Sequence, residues 1–229
     1  MLVFVDFEHA DSRGEPHAQQ LLAARTTLTY RLEDLSGRHC HLVRYDRIDE
    51  ELLDRIGAEA VFISGNSSAP EMYSPDDLAP IHRIVRDTDL PIFGFCGGFQ
   101  LLAEALGATL VPLDPPAEGV EDPMMTEIGS GQPFEFGYHP IELSPGAASH
   151  PLLAGFDHPP VVRHAHALHV PDPPAGFSVL ASTRSTPVQM AAHHTRKVCG
   201  TQFHPEYWTD EHPDGRMMIT NFLAWSGLR

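Results

Sequence analysis

A chain of 229 residues, 42% hydrophobic and 20% charged, is long enough to bury a sizeable core and has the balance of a globular rather than a disordered protein. Its 31 acidic residues against 15 lysines and arginines leave a net charge of −16, which repels phosphate backbones and anionic lipid surfaces and argues against a nucleic-acid or membrane partner. Three cysteines, far apart and with no CxxC among them, suggest neither a disulfide framework nor a zinc ribbon.

The opening MLVFVDFEHA carries an apolar run too short for a membrane span and has no basic lead before it, so a cytoplasmic location is expected. From there to about residue 112, strand-like runs alternate with helical patterns. Strands are predicted at LVFVDF (2–7), CHLVRYD (40–46), AVFISG (60–65), PIFGFC (91–96) and TLVP (109–112), and helices over 18–35, 50–56, 78–87 and 99–106. Continuous apolar strands separated by helices predict an α/β domain over 1–229 whose mostly parallel central sheet has helices on both faces. Residues 112–132, rich in Pro, Gly and acids, read as a surface loop. Beyond them, FEFGYHPIEL, PVVRHAHALHV, FSVLAST, PVQMAAHH and KVCGTQFH, with turn signals SPG and DPPAG, predict a small antiparallel extension. A last helix is expected over 215–225.

Parallel sheets of this kind hold ligands at the carboxyl ends of their strands. Cys96 falls at one such end, and Ser64-Gly65-Asn66 at another. A buried cysteine is ordinarily a small apolar filler, but Gly94-Phe95-Cys96-Gly97-Gly98 has the G-x-Nuc-x-G form of a nucleophile elbow. In that turn small neighbours let the backbone strain and expose the nucleophile where a helix begins. The helix N-terminus would favour a thiolate, and the Gly97 N–H would be free to meet a developing oxyanion. A thiol nucleophile also needs a base and an orienting group. GTQFHPE supplies His204 and Glu206, which an extended segment would turn to the same side.

Together, GFCGGFQLLAEALGA (94–108) and GTQFHPE (200–206) resemble the class I glutamine amidotransferase family, in which a Cys-His-Glu triad releases ammonia from glutamine. Weaker likenesses lie at AVFISGN (60–66), HPLLAGF (150–156) and GFSVLASTRSTPVQ (176–189). The resemblance implies a flavodoxin-like fold. It makes Cys96 the nucleophile, His204 the general base and acid, and Glu206 its orienter. It places the oxyanion hole at the N–H of Gly97 with a second donor at Gly65 or Asn66, and gives the Gln100 side chain a part in holding substrate. No cofactor and no metal is implied.

Two stretches depart from the family pattern. Many members carry a Gly-Gly pair where this chain has Gly65-Asn66. The segment RHAHALHV (163–170) lies where a His-Gly-Asp sequence commonly offers an aspartate to the α-amino group of substrate, and here His166-Ala167 is followed by Leu168. His166 and Leu168 are therefore expected to flank the substrate, without a carboxylate. A hydrogen bond to a charged group is worth roughly 1.5–3 kcal/mol, so a glutamine-like amide stays open beside glutamine itself. His164 and His166, alternating on one strand, could also chelate a metal with His193 or His194, although no HExxH or Cys/His spacing supports that.

The leading expectation is a glutaminase subunit that forms a Cys-thioester and feeds ammonia to a separate synthase. A stand-alone hydrolase of γ-glutamyl or modified glutamine amides is the alternative within enzymes. A regulatory or binding subunit that keeps the fold without catalysis is the alternative outside them.

Overall fold

Alternation along the first strand decides the two faces of the central sheet. The structure, a computed structural model, describes residues 1–129 and 131–229. Its first half runs β1 (Leu2–Asp6), α1 (Pro16–Ser36), β2 (Cys40–Arg44), α2 (Glu50–Ile56), β3 (Ala60–Ile63), α3 (Pro75–Asp87), β4 (Ile92–Phe95) and α4 (Gly97–Ala105). Leu2 and Phe4 pack with Leu28 and Leu32 of α1, and Val3 and Val5 pack on the other side with Leu53 of α2 and Ile81, Ile84 and Val85 of α3. Period-2 side-chain direction thus supplies two cores, each covered by helices.

The second half is β5 (Val111–Pro112), β6 (Met125–Ile128), β7 (Gln132–Pro140), β8 (Glu142–Leu143), β9 (Val161–His166), β10 (Leu168–His169), β11 (Phe177–Ser182), β12 (Met190–His193), β13 (Val198–Thr201) and α5 (Asp214–Trp225). The main sheet has the order β2-β1-β3-β4-β13-β12-β11-β8. Its first five strands are parallel, and β12, β11 and β8 continue it antiparallel. The α/β expectation with an antiparallel extension holds.

The strand list needs correction. TLVP does not enter the parallel sheet: only Val111–Pro112 is extended, and it pairs with β10. The fifth parallel strand is β13, from the far end of the chain, lying against β4 with Gly200 opposite Gly94. That pairing joins residues over a hundred positions apart, which no local pattern announces. The loop over 112–132 contains β6, which pairs with β7, and β9 completes this second, three-stranded sheet. Periodicity misses β6 because its side chains are largely exposed.

α3 begins at Pro75, ahead of the predicted 78, because Ser74 caps it by accepting the Asp77 N–H at 3.1 Å and Pro75 needs no hydrogen bond at the first helical position. Among the described residues, no helix is long and apolar enough to cross a membrane.

Candidate active site

Since β1, β3, β4 and β13 run parallel, their carboxyl ends meet on one edge, and the residues just past them form the site. Cys96 follows β4 with φ 47° and ψ −107°, the one non-glycine residue at positive φ among those described. Such a conformation costs on the order of 1–3 kcal/mol and persists only where surroundings impose it. Here Cys96 N donates to Thr201 O at 2.7 Å, and Gln100 N donates to Cys96 O at 2.9 Å. The turn is pinned on both sides.

The flanking glycines are the small neighbours the elbow motif calls for, and their part is steric. None of Gly94, Gly97 and Gly98 has positive φ. What each lacks is room for a side chain: a Cβ on Gly94 would stand 2.6 Å from Gly98 O, on Gly97 1.9 Å from Asn66 Oδ1, and on Gly98 2.3 Å from Ile63 O. The glycines let α4 press onto β3 and β4. The strain itself falls on the cysteine.

His204 leaves β13 and donates its N–H to Arg163 O of β9 at 2.8 Å. Its Nδ1 lies 2.7 Å from Glu206 Oε1, in a pair with only 8% and 3% exposure. The backbone between them is not extended, as the motif suggested, but a 3₁₀ turn over Pro205–Tyr207. That turn is held from outside by Arg31, whose Nη1 donates to Glu206 O at 3.1 Å, and by α5, whose Gly215 packs so closely on Pro205 that a Cβ would come 2.1 Å from its carbonyl. With Nδ1 given to Glu206, Nε2 is the ring nitrogen left for the thiol. Cys96 lies beside this imidazole, with its Sγ 3.9 Å from Ala165 O. Burial disfavours the charged ring, but Glu206 and the cysteine sulfur outweigh it and push the His204 pKa up to about 10.

Gly65 and Asn66, at the end of β3, form the opposite wall. A Cβ on Gly65 would lie 2.8 Å from His204 Cε1 and 3.4 Å from Cys96 Cβ, and a Cβ on Gly97 would lie 3.0 Å from Asn66 N. Asn66 N therefore lies close to Gly97, whose own N–H opens α4 and has no intrahelical acceptor. The Asn66 Nδ2 donates to Ser68 O and Tyr73 Oη at 2.9 Å each, which leaves Oδ1 against Gly97.

The candidate substrate residues divide. Gln100 is near the thiol but already engaged, donating from Nε2 to Leu168 O at 3.0 Å and to Gln202 Oε1 at 3.3 Å. Leu168 supplies that carbonyl from β10, paired with Pro112. His166 is 3% exposed, with Nε2 2.8 Å from Glu135 Oε2 and Nδ1 3.2 Å from Leu168 O, so both ring nitrogens face groups inside the protein. Sequence reasoning misses one residue beside the thiol. Gln202 is fully buried and points its Nε2 at Cys96 Sγ, 3.6 Å away. It lies two residues before His204 in a strand-like run, and that spacing is the signal that could have found it.

His164 and His166 do share one face of β9, but their neighbour is Glu135 of β7 rather than His193 or His194. Potential ligand atoms of the three lie within 4.8 Å of one another. His193 and His194 are bound to Thr195, Arg196 and Ser178 instead. The Glu135 carboxylate accepts from Thr183 Oγ1 (2.9 Å), Thr186 Oγ1 (3.1 Å) and Gln189 Nε2 (2.6 Å) besides facing His166. His164 Nδ1 also lies 3.5 Å from Oε2, so the carboxylate is surrounded by donors. Burial opposes its ionisation, yet the hydrogen bonds and charge of the two histidines hold its pKa far below the usual carboxylate range.

The model of the glutamine amidotransferase class-I family matches residues 24–225. This chain belongs to that family. It is 30% identical over 167 residues to the glutamine-hydrolysing GMP synthase of Symbiobacterium thermophilum, covering 73% of this chain and 28% of the relative. It is 32% identical over 187 residues to that of Thermomicrobium roseum, covering 81% and 30%. The chain thus spans about three tenths of the length of these curated relatives. Among solved structures, a Thermoplasma acidophilum protein provisionally described as a GMP synthase subunit superposes with a TM-score of 0.70 at 25% identity, over 99% of this chain and 94% of that one. In this class-I amidotransferase the other two thiols are set apart from Cys96: burial and Glu33 push Cys40 up to about 12, and burial alone raises Cys199.

Proposed function

We propose that the chain is the glutaminase component of a two-part amidotransferase, hydrolysing glutamine through Cys96, His204 and Glu206. The observation that carries this reading is the strained cysteine placed against an imidazole whose far nitrogen is 2.7 Å from a buried carboxylate. Cys96 Sγ attacks the side-chain amide carbon, forming the C–S bond and an oxyanion that faces the N–H groups of Gly97 and Asn66. Protonated His204 delivers its Nε2 proton to the amide nitrogen, the C–N bond breaks and ammonia leaves. Water then attacks the thioester; His204 takes its proton and returns it to sulfur as the C–S bond breaks and glutamate departs. Glu206 keeps the ring in the orientation this exchange needs.

The curated relatives, named as glutamine-hydrolysing synthases and matched over only 28% and 30% of their length, support a separate synthase chain as the receiver of ammonia. They favour this reading over a stand-alone hydrolase or a non-catalytic subunit. Glutamate formation from glutamine by the purified chain, lost in Cys96→Ala and raised by a GMP-forming synthase chain that lacks its own glutaminase, tests it. A chain that hydrolyses N-acylated or γ-glutamyl amides in preference to glutamine would overturn it.

A further inference from the structure

Arg25 lies on the inner side of α1 at 2% exposure. A buried guanidinium needs its charge met, and Asp6 and Glu8 meet it: Nη1 pairs with Asp6, and Nη2 lies 3.3 Å from Glu8 Oε2. Yet Nη2 also donates to the carbonyl of Gly65 at 2.8 Å, a contact that charge pairing does not require. Ser64 Oγ donates to the same carbonyl at 2.7 Å. Glu8 extends the grip along the turn, accepting from Ser67 N and Ser67 Oγ at 3.0 Å each and from Ser68 Oγ. The 64–68 turn is clamped from the side away from the thiol.

The Gly65–Asn66 bond is trans, and in a planar trans peptide the C=O and the next N–H point in opposite directions. Two donors that hold Gly65 O on the α1 side therefore aim Asn66 N–H to the opposite side, where Gly97 stands. Resting on the acyl-transfer reading above, we propose that Arg25 is a positioning residue for the oxyanion hole, fixing the Gly65–Asn66 peptide plane so that Asn66 N–H meets the oxyanion together with Gly97 N–H. In Arg25→Lys the charge next to Asp6 and Glu8 is kept, but one ammonium cannot reproduce the planar fork that reaches both acids and the carbonyl.

Two reagents separate aiming from general integrity. Acetylation of Cys96 by p-nitrophenyl acetate passes through an oxyanion, whereas alkylation by iodoacetamide displaces iodide at a saturated carbon and forms none. Arg25→Lys is expected to slow acetylation by about 10- to 100-fold while alkylation changes by no more than about twofold. Ser64→Ala removes the second donor without touching the ion pairs, and is expected to slow acetylation by about 3- to 10-fold with the same selectivity. It serves if the lysine variant does not fold. Equal losses in both reactions, or no loss in acetylation, would overturn the proposal, as would a wild-type thiol that alkylates but is never acetylated. Wild-type protein that turns over no glutamine counts against the proposed function alone, because the acetylation-to-alkylation ratio is read without glutamine.

Discussion

Two histidine–carboxylate pairs of nearly equal length lie in this protein, and only one faces a nucleophile. His204 and Glu206 stand 2.7 Å apart, His166 and Glu135 2.8 Å, and all four side chains are buried. The first pair ends at a cysteine on a strained turn, with backbone N–H groups converging beside it. The second ends in Thr183, Thr186, Gln189 and the Leu168 carbonyl, which fill the remaining positions of the carboxylate and the ring. An imidazole beside a carboxylate is thus not itself a site. What lies at its other nitrogen decides: one pair faces the Cys96 thiol, while the other ties β7 to β9.

The comparison breaks most directly at the thiol. Cys96→Ala is expected to lower glutamine hydrolysis by about 10⁴-fold or more with unchanged thermal unfolding, read as ammonia release and melting temperature. Glu206→Gln should cost about 10³-fold in kcat, and because Glu206 is the leading upward influence on His204, it should also move the imidazole titration down from about 10. An NMR titration of His204 checks the shift. Glu135→Ala should do the reverse of these, destabilising the protein by about 3 kcal/mol in denaturant melts while the folded fraction keeps its kcat within a few fold. A catalytic collapse there without loss of stability would erase the distinction between the two pairs.

The smallest effects concern pH. His204 has a folded pKa above its ordinary value, so its pairing stabilises the protein fully below about 6.5 and that contribution fades as pH rises toward 10. Glu135 has a folded pKa below its ordinary value, so its share is present above about 4.3 and fades as the protein is acidified. Glu206→Gln should therefore flatten the alkaline side of a stability–pH curve and Glu135→Gln the acid side. Each curve crossing over to the other side would contradict the assignment.

By itself the sequence determined the alternating strands and helices before residue 106, the nucleophile turn in GFCGG and the His-Pro-Glu motif, since each depends on local periodicity or on neighbours a few positions apart. It did not show which atoms the glycines make room for, because close approach of α4 to β3 depends on a segment some thirty residues earlier. It left the partner of His166 unseen, since alternation along β9 tells which residues share a face but not that Glu135 of β7 awaits them there. Only the tertiary structure brought β13 beside β4, laying His204 and Gln202 against Cys96, and only it set Arg25 behind the Gly65 carbonyl. Both are pairings between distant parts of the chain, chosen by which buried faces and buried charges can satisfy one another, and that choice is made by the folded whole rather than by any window of sequence.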